Sequence, residues 1–80
     1  MNFGEFCRKE MNGMGKSIHW LTIQVGASAS VISKWRKGTN PKTEYFLKVC
    51  RVISQAKGIP LLEVIIQAAA SMGIELDERD

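Results

Sequence analysis

Gly15-Lys16-Ser17 carries the most readable chemistry in the chain, because it matches the last three letters of a phosphate-binding loop, G-x-x-x-x-G-K-[ST]. In that loop backbone amides and the lysine cradle the phosphates of a nucleotide. The spacing argues against it here. The leading glycine would stand at position 10, and position 10 is Glu10, a carboxylate where the loop must approach phosphate. A nucleotide loop also follows a β-strand, whereas the preceding "NFGEFCRKEM" has helical spacing. Ser17 is expected instead to cap a helix that opens "IHWLTIQV".

Other reactive residues are few. Cys7 and Cys50 fall at apolar-facing helical positions with no C-x-x-C, and they read as small buried hydrophobes rather than a redox pair. His19 has no companion ligands at metal spacing. Paired carboxylates and nucleophile–base constellations are missing as well, so the expectation is a non-enzyme with no metal, no cofactor and no small-molecule ligand.

Charge supplies the stronger signal. From Lys16 to Lys57 the chain has eight Lys or Arg against the single acid Glu44, a net of +7. From Gly58 onward five acids stand against one Arg, a net of −4. A basic middle followed by an acidic end is the footprint of a polyanion-binding protein, with nucleic acid the first candidate. Eighty residues at 45% hydrophobic content make one folded domain near the lower size limit. No run of eighteen apolar residues and no basic-then-apolar leader occur, which predicts a soluble, cytoplasmic protein away from membranes.

The elements that must position these charges read as five helices. Phe3, Phe6, Cys7 and Met11 make one face of a first helix ending near Asn12-Gly13. Ser17 caps a second, stopped by Gly26; Ser28 caps a third, from Ala29 to about Lys37 before Gly38. Asn40-Pro41 is expected to open a fourth, with Pro at the first helical position, running to Lys57. A fifth starts at Pro60 and ends before Gly73. On a helical wheel with Ala29 at zero, Val31, Trp35 and Ile32 fall at roughly 200–300°. Ala29, Ser30, Ser33, Lys34 and Lys37 fall at roughly 0–140°. The third helix thus packs through three large apolar residues and turns small polar and cationic groups outward, a profile suited to the DNA major groove.

With those residues in place, "IHWLTIQVGASASVISKWRKG", positions 18 to 38, resembles the helix-turn-helix of the phage repressor and Cro family, the lambda repressor-like DNA-binding domains. The matching residues are Leu21, Val25 and Gly26, then Ile32, Ser33, Trp35 and Gly38. Downstream, "PKTEYFLKVCRVI" and "GIPLLEVI" look like that family's fourth and fifth helices, so the likeness spans about positions 3 to 72. The resemblance implies an all-α, five-helix DNA-binding domain over residues 1–73, followed by an acidic C-terminal tail at 74–80. It implies that the second motif helix enters the major groove. Ala29, Ser30, Ser33 and Lys34 become the implied base readers; Ser17, Lys37, Thr39 and Lys42 become the implied phosphate contacts. Ile18 stands where the family often has Gln, Arg36 where it often has Glu, and "SQAK" at 54–57 lengthens the fourth helix. Trp20 and Ile23 point away from the Leu21 and Val25 face, toward either the Gly13-Met14-Gly15 segment or a contact surface.

The fifth helix is more apolar than one core requires. Only Glu63, Gln67 and Ser71 make a polar arc, and an inward stripe needs little more than about 100°. The surplus predicts a homodimer through Ile66, Leu62, Ala69 and Ala70. The expected function is therefore a small transcriptional regulator that occupies a double-stranded operator, an inverted repeat, and represses by occupancy. A controller protein of a restriction–modification locus and an antitoxin-like protein-binding module are the competing readings.

Overall fold

A computed structural model describes residues 1–76. Five helices occur in the order α1 (Phe3–Gly13), α2 (Ile18–Val25), α3 (Ala29–Arg36), α4 (Thr43–Lys57) and α5 (Leu61–Ser71), with no strand among the described residues. The chain is an all-α five-helix bundle, as the periodicity predicts.

Local chemistry sets three of the starts. The side chains of Asn2, Ser17 and Ser28 accept from the amides of Glu5, Trp20 and Val31, each satisfying an N–H that the first helical turn leaves unpaired. α2 ends at Gly26, whose φ of 69° is a left-handed conformation that a side chain would strain. Gly26-Ala27-Ser28 then turns the chain directly into α3.

Two starts differ from expectation. α4 begins at Thr43, not Pro41, and Lys42 is extended at its N-cap position with no side-chain cap. Proline fixes φ but leaves ψ free, so Pro41 suits an extended connection as well as a first turn. The same freedom puts Pro60 at the N-cap of α5, with ψ 139°, rather than inside it. α3 stops at Arg36, with Lys37 as its C-cap.

The core gathers one face from each helix. Phe3, Met11, Leu21, Ile32, Ile53 and Val64 lie among the fully buried side chains. Phe3 joins the layers, with its ring 5.3 Å from Trp35 in an edge-on contact and 5.6 Å from Phe46. α1 packs on α3, α5 and α2, while α4 packs on α5 and α2. α1 and α3 approach closely at one end. A methyl group on Gly4 would overlap the Arg36 backbone nitrogen and come within 2.5 Å of its Cα. Asn2 Nδ2 donates to the Arg36 carbonyl at 3.0 Å in the same seam. Far from it, Lys57 at the end of α4 pairs with Glu10 of α1 at 3.0 Å, so the extra turn of α4 is tied down.

Cys7 and Cys50 are both free and fully buried, matching their reading as small hydrophobes. Burial pushes the Cys7 thiol up to about 12, helped by the neighbouring Cys50 and by Glu10. Burial alone pushes Cys50 up to about 11. Both remain neutral thiols at ordinary pH, in an environment that disfavours the reactive thiolate.

Candidate nucleic-acid interface

α3 is seated by its apolar side. Ile32 and Trp35 are 1% and 2% exposed, and Val31 is half-buried against the same core. This fixes which residues remain outside. Ala29, Ser30 and Lys34 are exposed and Ser33 is half-buried, so the four candidate base readers share the free side of one helix. The small residues leave backbone and hydroxyls accessible, and Lys34 adds a cation at the far end. Ser28 and Ser30 are hydrogen-bonded through their hydroxyls at 3.0 Å, which restrains Ser30 at the start of that face.

Beyond α3 the chain stays close to it. The Gly38 amide donates to the Trp35 carbonyl at 3.1 Å, and the Thr39 amide to the Lys34 carbonyl at 3.0 Å. Gly38, at φ 107°, takes the backbone through a turn that side chains rarely permit. Lys37, Thr39 and Lys42 are all exposed on this connection, which follows directly from the reader face. Ser17 is exposed at the start of α2, where its hydroxyl accepts from the Trp20 amide at 3.0 Å. The remaining amides of that first turn point outward with the positive end of the helix dipole.

The electrostatics are one-sided. Among the described residues the ion pair is Lys57 with Glu10, so Lys34, Arg36, Lys37 and Lys42 have no carboxylate partner. No acid stands in the first turn of α2 or of α3. Fields of unpaired cations raise the local concentration of a polyanion and weaken as salt is added.

Three features escaped the sequence. Gly4 and Asn2, which set the seat of the last turn of α3, lie more than thirty residues from Arg36 along the chain. Lys16 does not point freely into solvent: its ammonium lies 5.1 Å from the centroid of the Trp20 ring. Trp20 itself is half-buried, packs against the core and lines a groove with Gln24, Val52, Gln55 and Ala56. Ile23, by contrast, is 64% exposed.

The outer side of α5 is separately arranged. Leu62 is 56% exposed, Ala70 is exposed and Ile66 is half-buried. Ala69 does not join them. At 4% exposure it is already buried within the chain, flanking a groove shared with Pro41, Phe46, Ile65 and Met72, and has little surface left for a second molecule. Ile74 and Leu76, in the stretch expected to be an acidic tail, add exposed apolar surface at the mouth of that groove. Asp77, Glu78, Arg79 and Asp80 of that stretch lie outside the described residues.

Among the described residues no group of three His, Cys, Asp or Glu side chains could hold a metal ion. No described helix is long and apolar enough to cross a membrane. Compared with protein-family models, with curated proteins and with solved structures, the chain matches none.

Proposed function

We propose that the chain is a sequence-specific double-stranded DNA-binding protein, a small transcriptional regulator in which α2 and α3 form a helix-turn-helix. One observation carries the reading. α3 is locked into the core through Ile32 and Trp35 while Ala29, Ser30, Ser33 and Lys34 share its free side. A short helix with small hydroxyl-bearing residues and a cation outward can enter the major groove and present donors to base edges. Lys37 and Lys42, with no ion pair among the described residues, and Thr39 then meet the phosphates on one side, and Ser17 with the α2 amides meets them on the other. The regulator acts by occupying an operator, and it needs no cofactor, metal or catalytic group.

Two copies bind together through the outer side of α5. Leu62, Ile66 and Ala70 supply the contact, with Ala69 removed from the set. A two-fold pair directs two α3 helices to half-sites about one helical turn apart, so the operator is an inverted repeat. A different reading, a module that binds another protein in the manner of an antitoxin, is favoured by the exposed Ile23, Ile74 and Leu76.

Selection of duplexes from a random pool at low salt tests the proposal. Enrichment of a short inverted repeat is the expected outcome. A pool that remains random after repeated rounds, with no retardation of any duplex, would sink the DNA reading and leave the protein-binding one.

A further inference from the structure

Lys16 and Trp20 have no part in the contacts proposed so far, yet they hold one another. The indole is fixed, because Trp20 is half-buried against the core between α2 and α4. The Lys16 amide donates to the Met11 carbonyl at 2.8 Å, which ties its main chain to the end of α1. Its ammonium lies over the indole, 5.1 Å from the ring centroid. A lysine thereby restrained at both ends has surrendered much of the rotamer freedom that a free surface lysine loses on binding.

Apart from the indole face, nothing among the described residues favours a cation at this place. Lys16 stands beside the positive end of the α2 dipole, where a cation is disfavoured, and the first turn of α2 has no acid. It also has no carboxylate partner among the described residues. An external anion bound at this helix start relieves that arrangement. Ser17, its neighbour, is already a proposed phosphate contact, so the anion that fits is a phosphate of the DNA backbone.

We propose that Lys16 is a phosphate contact and that Trp20 is the positioning residue that holds it ready. The inference rests on the DNA reading above. It gives Trp20 a role beyond its packing against the core.

A mutant cycle on one duplex, followed by titration over a range of salt concentrations, tests it. Lys16→Ala should lower affinity and flatten the salt slope by about one unit. Trp20→Leu keeps the charge and loses the platform, so affinity should fall about two- to fivefold with the slope unchanged. Adding Trp20→Leu to Lys16→Ala should then cost nothing more. Trp20→Phe keeps an aromatic face and should recover part of the loss. Circular dichroism checks that each variant is folded, and Trp20→Phe carries the cycle if Trp20→Leu does not fold. An unchanged slope for Lys16→Ala overturns the contact. Equal losses for either Trp20 substitution, with and without Lys16, overturn the positioning role. A wild-type chain that binds no duplex at low salt defeats the DNA reading itself, a result distinct from either of the others.

Discussion

α3 and α5 each give one side to the same core, and their free sides have opposite character. α3 turns Ala29, Ser30 and Lys34 outward, small and polar with a cation. α5 turns Leu62, Ile66 and Ala70 outward, with little polarity beyond the flanking Glu63 and Gln67. The inner sides do not distinguish the two helices, since Ile32 and Trp35 are as deeply buried as Val64 and Ala68. Burial explains why each helix is held. It does not explain what each leaves outside. A hydroxyl-and-lysine face is matched by a polyanion, an apolar one by another apolar surface. The proposed function rests on that difference, with DNA as the partner proposed for α3 and a second copy of the chain as the partner proposed for α5.

The comparison breaks most sharply at Ile66. Ile66→Glu should abolish self-association, because the carboxylate is desolvated and unpaired only when two copies meet. The monomer should keep its helicity, since Ile66 is only partly buried in the single chain. Sedimentation equilibrium with circular dichroism measures both. Operator affinity should fall far more than affinity for one half-site, because the second half-site gains from the first being anchored. A wild-type chain that stays monomeric on and off DNA ends the assignment of α5.

Gly4→Ala attacks the other helix from behind. The added methyl must push the Arg36 backbone away from α1, and overpacking of this kind costs about 1–3 kcal/mol or more. Urea unfolding reads the loss. Operator binding should weaken as well, with self-association through α5 affected less. The opposite ranking would mean that the seam supports α5 rather than α3.

Lys34→Ala leaves the fold untouched and should cost about 1–3 kcal/mol on the operator, relaxing the preference at one base position. Sites selected with the variant should show that single change. An unaltered preference removes Lys34 from the readers and transfers specificity to DNA shape. The smallest effects belong to Lys37→Ala and Lys42→Ala. Each should weaken binding equally across sequences and flatten the salt slope by about one unit. Gel-shift titrations separate this from a merely solvated lysine, for which the slope would not move.

What the sequence reveals and what it conceals divide along a physical line. The caps Ser17 and Ser28, the stop at Gly26 and the buried pair Ile32 and Trp35 are legible because each depends on neighbours within a turn or two. The start of α4 is not, because Pro41 permits either of two ψ values and packing chooses between them. Ala69 shows the limit of a helical wheel. It stands at roughly 80° from Leu61, within the apolar arc, and the wheel gives that arc without saying which part the monomer covers. Gly4 is invisible for a stronger reason. Its role is a close approach to Arg36, and no local pattern records a contact between residues so far apart. The Lys16–Trp20 contact spans only four residues, but Lys16 precedes the N-cap of α2, and helical spacing does not say where a side chain outside the helix lies.

The two buried thiols have a consequence for kinetics. A reagent that attacks thiolates cannot reach Cys7 or Cys50 while α1 and α4 are in place, and their raised ionisation leaves almost no thiolate to attack. Alkylation of the native chain therefore proceeds only as often as the bundle opens. One thiol reports from α1 and the other from α4, so equal labelling rates would show that the helices open as a unit. Unequal rates would show which leaves first. The protein thus carries its own two-channel clock for unfolding, with no label to engineer.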